Sequence, residues 1–321
     1  MAAILRRPAL RPAVLTLLLL ALALMPAVAR LLDAPYFLDV AVRIMILAVA
    51  AVSLDLVLGY GGLVSFGHAG YVGIGAYAVA ILSYHGIDNG FVQLGAALAG
   101  SALCALFVGL ISLRTAGIHF IMITLGFGQM IYFIATSLNT YGGEDGLNIM
   151  SNSDFGGWLD LSDGLALYYA VFAVLAATLL LGSRLVESRF GMVLRAARQN
   201  ERRVGAIGIA VFRYRLAAFV LSGTMCGLAG FLLANQNLFV SPAIMHWTRS
   251  SELMIMVILG GMGSLIGPVF GAAALLLLET GLSGYTEHWQ LLLGILLLIV
   301  ILYAKKGIFG AVAALGERRH G

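Results

Sequence analysis

Charge is what this sequence has least of. Only 11% of its 321 residues are Asp, Glu, Lys or Arg, while 61% are hydrophobic and the mean hydropathy is +1.00. An ordinary soluble domain carries about 25% charged residues, so the chain reads as an integral membrane protein. Lysine is scarcer still: the two lysines, Lys305 and Lys306, stand near the end. No Gly-x-x-x-x-Gly-Lys-Ser/Thr phosphate loop can be formed, so this chain does not hydrolyse ATP by itself. Cys104 and Cys226 fall in separate apolar runs with no spacing for a disulfide or a metal. His-Glu-x-x-His is absent, as is Gly-x-Ser-x-Gly with triad partners. His68, His119, His246 and His288 are scattered singly. An intramembrane enzyme is poorly supported, and the expected cofactor content of this chain is none.

Positive charge, where present, is concentrated. Residues 184–215 carry Arg184, Arg189, Arg195, Arg198, Arg202, Arg203, Arg213 and Arg215 against Glu187 and Glu201. Lys and Arg resist translocation, so a basic segment between membrane spans belongs in the cytoplasm. The net charge of +4 and pI near 9.2 reflect such topology and not nucleic-acid binding. Within the segment, Glu187, Gly191, Arg195, Arg198 and Arg202 follow one helical stripe and Phe190, Leu194 and Ala197 another, which predicts one amphipathic helix over 187–203. Three uses fit it: lying on anionic lipid, acting as a solvated connector, or docking a soluble partner.

Arg6, Arg7 and Arg11 precede an apolar run from Pro12 to Ala29. A retained first helix is preferred over a cleavable signal peptide, and either puts the N-terminus in the cytoplasm. Further spans are expected at about 36–58, in the apolar run ending at Tyr84, and at 91–113, 117–138, 164–182, 216–236 and 288–304. Arg43 and Asp55 should lie near helix ends or face protein, because a charge at a span centre costs about 2.5–3.5 kcal/mol. The loop 139–163, with Glu144, Asp145, Asp154, Asp160 and Asp163 and no Lys or Arg, should be external. Lys305, Lys306, Arg318 and Arg319 want to be inside. Treating Gly260–Pro268 as a break between two short crossings satisfies them and brings the total to about ten transmembrane helices in a single all-α polytopic domain, 1–321.

Two glycine-rich stretches, Gly61-Gly-Leu-Val-Ser65 and Gly260-Gly-Met-Gly-Ser264, share Gly-Gly-x-x-Ser. Glycine-interrupted segments in the two halves of a transporter point to the substrate path, although close helix packing needs the same small residues. The polar and glycine residues to expect along the path are Ser65, Gly67, His68, Thr124 and Gln129, with Gly260, Gly261 and Gly263 giving close backbone approach. Ion-coupled carriers usually bury acids in their spans; here Asp55 is the one acid to watch. A transporter without an ion relay or nucleotide site must borrow its energy, and the basic segment is the place to connect a motor.

Four motifs occur in order: Gly62-Leu-Val-Ser-Phe-Gly-His-Ala-Gly70, Gly142-Gly-Glu-Asp-Gly-Leu147, Ser188-Arg-Phe-Gly-Met-Val-Leu-Arg-Ala-Ala-Arg-Gln-Asn-Glu201 with Gly205-Ala-Ile-Gly-Ile209, and Gly260-Gly-Met-Gly-Ser-Leu-Ile-Gly-Pro-Val-Phe-Gly-Ala272. Together they resemble the LivM-type permeases of branched-chain amino acid ABC importers, from about residue 40 to 305. The resemblance implies a type II-like permease of the bacterial inner membrane with both termini cytoplasmic. Its implied partners are a sister LivH-type permease, two cytoplasmic P-loop ATPases that bind ATP and Mg, a periplasmic substrate-binding protein, and membrane lipid.

It further implies that Arg189, Gly191, Arg195, Ala196, Arg198, Asn200, Glu201, Ala206 and Gly208 seat in the ATPase. Asp145 departs from the Asn common in the family motif, and permeases of this group also serve urea and short amides. The competing readings are a stand-alone carrier or channel, which would move solute without ATP or partners, and a scaffold, whose removal would leave uptake intact.

Overall fold

The computed structural model describes residues 10–31 and 36–284, and beyond them residues 288, 291, 292, 294, 295, 298, 307 and 310. In chain order the helices are α1 (Leu10–Leu31), α2 (Tyr36–Asp55), α3 (His68–Tyr84), α4 (Gly90–Ser112), α5 (Ile118–Ser137), α6 (Gly164–Glu187), α7 (Arg189–Gln199), α8 (Glu201–Ala206), α9 (Val211–Asn237), α10 (Trp247–Gly260) and α11 (Gly267–Ser283). Strands β1 (Leu147–Asn148) and β2 (Phe239–Val240) pair antiparallel.

Every residue from Ala48 to Gly61 is buried, and α2 runs on through a π-helical turn, Leu56–Tyr60. A helix apolar on all sides can be surrounded by protein or by lipid, and here α6, α9, α10 and α11 pack around it. The other dense region is the trio α3, α4 and α9. There a Cβ on Gly75 would meet the Gly227 carbonyl, and one on Gly230 would meet the Val72 carbonyl. The small residues therefore bring two backbones into contact, as membrane helices that lack a hydrophobic drive between them require.

Polar side chains set several helix starts. Asn89 caps α4 by accepting from Phe91 N at 3.0 Å and Val92 N at 3.3 Å, and Asp163 caps α6 through Leu165 N at 3.2 Å. Leu238, in the left-handed region at φ 51°, stops α9. The acidic loop 139–163 is folded onto the end of α9. Asn152 Nδ2 donates to the Asn235 carbonyl at 2.9 Å, and Ser153 N donates to Asn235 Oδ1 at 2.8 Å. Within this loop the Ser162 hydroxyl and amide both donate to Asp160, holding its carboxyl below the usual carboxylate range.

Among the described residues five helices are long and apolar enough to cross a membrane: Tyr36–Tyr60, Gly90–Ser112, Ile118–Ser137, Gly164–Glu187 and Val211–Asn237, with mean hydropathies from 1.7 to 2.3. Leu103, Phe107, Met122, Met130 and Phe133 open outward from α4 and α5, as a lipid-facing surface requires. Helix length does not carry the count of about ten spans. The break at Gly260–Pro268 falls where expected, between α10 and α11, but α10 has 14 residues, about 21 Å at 1.5 Å per residue against a hydrocarbon core of about 30 Å. Most of the expected span 288–304, and Lys305 and Lys306 after it, lie outside the described residues.

The basic segment differs from the single helix expected over 187–203. Ser188 and Asn200 both turn to extended backbone, and each caps the helix that begins after it. Ser188 Oγ accepts from Phe190 N at 3.2 Å, and Asn200 Oδ1 accepts from Arg203 N at 3.1 Å. Periodicity shows the stripe, but these two capping side chains divide it into the end of α6, then α7, then α8.

Candidate transport path and docking face

Ser65, Gly67, His68 and Thr124 come together where α3 begins. The Ser222 hydroxyl donates to the Ser53 carbonyl at 2.6 Å, so its oxygen takes the Nε2–H of His68 at 2.9 Å. On the other ring edge, Nδ1 lies 3.0 Å from Ser65 Oγ. Tyr71 and Phe219 pack edge-on against the same imidazole. Thr124 Oγ1 donates to the Ile121 carbonyl at 3.0 Å and accepts from Phe66 N at 3.3 Å, tying α5 to the break. Ser65, His68 and Thr124 are all buried in this seam. Gln129, farther along α5, keeps a buried Nε2 without a partner among the described residues.

Because the imidazole bridges α3 to α9, His68→Leu should leave Ser65 and Ser222 short of a partner and lower the unfolding temperature of the purified chain. His68→Gln, which retains a donor, should lower it less. A missing buried partner costs about 1–3 kcal/mol; equal unfolding temperatures for both variants and the parent would contradict the bridge.

Gly260, Gly261 and Gly263 form a second centre around Asp55. This carboxylate is fully buried and accepts from Gly263 N at 2.7 Å and Leu265 N at 3.2 Å. The loop it holds is unusual: Gly261, Gly263 and the non-glycine Leu265 have φ of 116°, 75° and 58°. Such backbone persists where its surroundings over-determine it: the Asp55 carboxylate holds Gly263 and Leu265, and Ser264 Oγ donates to the Gly261 carbonyl at 2.7 Å and accepts from Gly267 N at 2.9 Å. Gly59 has no space for a side chain, since a Cβ there would meet Asp55 Oδ1 and Gly263 N. The acid singled out as a potential relay is thus engaged as a backbone anchor.

Arg198 joins this centre to the basic segment. Its Nη1 donates to the Gly59 carbonyl, and its stem lies against Gly62, where an added Cβ would come within 2.7 Å of Arg198 Cγ. Arg195 folds back to the α6–α7 joint, donating from Nη2 to the Val186 carbonyl and from Nε to the Gly191 carbonyl, both at 3.3 Å. Gly191 is buried, and a Cβ there would strike the Val186 carbonyl. Glu201 pairs with Arg215 at 2.7 Å. Ala197, Val204 and Val211 form a small core under α7 and α8.

Arg195, Arg198 and Glu201 remain exposed while making these contacts, and Arg189, Ala196, Asn200, Ala206 and Gly208 are exposed as well, with Met192 and Ile207 beside them in sequence, 53% and 73% exposed. Sequence reasoning misses the last two because apolar residues in an amphipathic pattern are assigned to the buried side; their place on a polar connector is the available signal. Among the described residues no group of three or more His, Cys, Asp or Glu could hold a metal.

A family model described as "Branched-chain amino acid transport system / permease component" matches residues 36–302, a stretch that takes in both centres and the basic segment. The chain belongs to this permease family. It is a multi-pass membrane protein and a transport subunit, not a catalytic enzyme. Among relatives, it is 28% identical over 294 residues to the high-affinity branched-chain amino acid transport system permease protein LivM of Escherichia coli K12, covering 84% of this chain and 69% of that protein. It is 25% identical over 284 residues to LivH of the same organism, covering 82% and 91%. A probable LivM of Methanocaldococcus jannaschii is 26% identical over 317 residues, covering 81% and 89%. No solved structure matches.

Proposed function

We propose that the chain, as one permease domain over 1–321, is the membrane subunit of a binding-protein-dependent ABC importer for branched-chain amino acids or a related small amino compound such as urea or an amide. ATP, with Mg, is bound and hydrolysed by two partner P-loop ATPases. Similarity to both LivM and LivH proteins supports pairing with a second, related permease; a periplasmic binding protein delivers the solute. The basic segment 184–215 lies inside, as do both termini, in a bacterial inner membrane.

The observation that carries this reading is the connection from surface to interior. The exposed face of α7 and α8 meets the motor, Arg198 grips Gly59 on the inner side of the same segment, and Asp55 grips the α10–α11 break one turn of α2 away. Motor closure then biases the permease between states that open to opposite sides. The solute path follows the seam of Ser65, Gly67, His68, Thr124 and Gln129, with Gly260, Gly261 and Gly263 at the second centre. The seam is closed over here, so passage requires α3 and α5 to part.

The exposed face gives a test that spares the fold. Met192→Glu with Ile207→Glu adds two charges to solvent-facing positions, so the unfolding temperature should stay the same while co-purification of ATPase and solute uptake both fall at least tenfold, about 1.4 kcal/mol in binding. Unchanged co-purification would contradict docking on this face.

A further inference from the structure

At the end of the bundle where α2 and α10 begin and α9 finishes, a cleft of about 220 Å³ is lined by Arg43, Asn237, Arg249 and Glu252 above an apolar floor that includes Leu47 and Met256. We propose that this cleft is an entry site for a zwitterionic amino acid: Arg43 takes the carboxylate, Glu252 the ammonium, and the floor the aliphatic side chain. The proposal rests on the transport reading and adds to it a site.

Arg43 is the first reason. It is the eighth residue of α2, exposed, and makes no hydrogen bond or ion pair with any described residue. Seven residues at 1.5 Å place it about 10 Å along the helix from Tyr36. An unpaired guanidinium facing lipid at depth is costly, and arginines within spans face the bundle interior or a water-filled cavity. A planar fork of donors with no protein acceptor is matched by a carboxylate, which it binds through two parallel hydrogen bonds.

The opposing charge is the second reason. Arg249 Nη1 and Glu252 Oε2 pair at 2.7 Å, yet their side chains are 47% and 41% exposed, so the Glu252 carboxylate stays accessible from the cleft. Two guanidinium groups and one carboxylate together accept a ligand carrying both signs, and do so better than a cation alone. Size narrows the class. Pockets for drug-sized ligands run about 300–1,000 Å³, and this cleft is smaller, suited to a compound the size of a single amino acid.

Position is the third reason. Ala69 and Val72 of α3 also line the cleft, and Ala69 N donates to Ser250 Oγ on α10 at 3.0 Å. Ala69 directly follows His68, so the cleft ends on the seam assigned to the path. A solute held between Arg43 and Glu252 lies at the head of that seam.

The test uses the assembled transporter in membrane vesicles with a reporter at the cleft rim, Asn237→Cys, and the parent chain as control for Cys104 and Cys226. A membrane-impermeant charged thiol reagent should label the reporter above the parent background. Leucine at ten times its Kd should slow that labelling about tenfold, the free fraction left by one-site binding, whereas leucinamide and 4-methylpentanoate, which lack the carboxylate and the amine, should not. Adding Arg43→Gln should abolish the protection, read as the ratio of labelling rates with and without leucine within that variant, since loss of the guanidinium also shifts the reactivity of a nearby thiol.

No labelling would mean that lipid or a protein partner fills the cleft. Either that result, absence of leucine protection, equal protection by leucinamide, or protection that survives Arg43→Gln overturns the site. Leucine uptake by the same vesicles is scored separately. Uptake without protection overturns the site alone, and no uptake of any branched-chain amino acid, urea or short amide by vesicles carrying the parent chain overturns the transport reading.

Discussion

Asp55→Ala is expected to abolish solute uptake and to lower the unfolding temperature of the purified chain by more than any other single polar substitution. The alanine leaves the N–H groups of Gly263 and Leu265 buried without acceptors. Hydrogen bonds to charged groups contribute about 1.5–3 kcal/mol each, and the left-handed backbone at Gly263 and Leu265 loses what holds it. We expect a loss of about 3–6 kcal/mol from these two bonds together. Asp55→Asn should fall between alanine and the parent, because one side-chain oxygen still accepts while the amide NH2 opposes the second N–H. A proton- or sodium-relay acid would behave otherwise: Asp55→Ala would leave the unfolding temperature unchanged and remove only ion coupling. That outcome, measured by thermal unfolding beside uptake, would overturn the anchor.

The second large effect is expected at the α3–α9 crossing. A Cβ at Gly75 meets the Gly227 carbonyl and one at Gly230 meets the Val72 carbonyl, both backbone atoms that no rotamer change can move. Overpacking a tight interior costs about 1–3 kcal/mol, occasionally more, and here the two helices must separate. Gly75→Ala and Gly230→Ala should each lower the unfolding temperature. The double variant should lose less than the sum, because separation that relieves one clash also relieves the other, a turn away on both helices. Strict additivity would mean that each glycine acts on its own surroundings and that the backbones are not in shared contact.

Much of this architecture is legible in composition and periodicity. Low charge and long apolar runs mark the membrane helices, and among the described residues helices stand where the apolar spans are expected, the basic segment apart. The breaks at Gly61 and Gly260 are visible because adjacent glycines permit left-handed backbone there, although glycines spaced along α3 and α9 stay helical and serve close packing. The split of the basic segment is less visible: Asn200 looks like any polar residue on a solvated face until its side chain is seen capping Arg203 N. Asp55 shows the deeper limit. A lone acid in a span has the same sequence signature whether it carries protons or holds a loop, and only the loop's arrival from 208 residues away decides.

The resemblance to LivM-type permeases implies that Arg195 and Arg198 face the ATPase, whereas charge and periodicity alone leave lipid, solvent and a partner open. In the fold both turn to carbonyls of their own chain, so reversing their charge would disturb the permease itself as well as any docking. Gly191, on the same stripe, is buried by the approach of α7 to the end of α6. The exposed apolar pair Met192 and Ile207 is the cleaner probe of docking.

The most direct measurement is affinity purification of this chain from gently solubilised native membranes, with mass spectrometry of its companions. An importer subunit with its motor on α7 and α8 brings down a P-loop ATPase and a second, related permease, and loses the ATPase when Met192→Glu and Ile207→Glu are introduced. A homo-oligomer free of any ATPase, reproduced in a milder detergent, would contradict the account and leave a carrier that works alone.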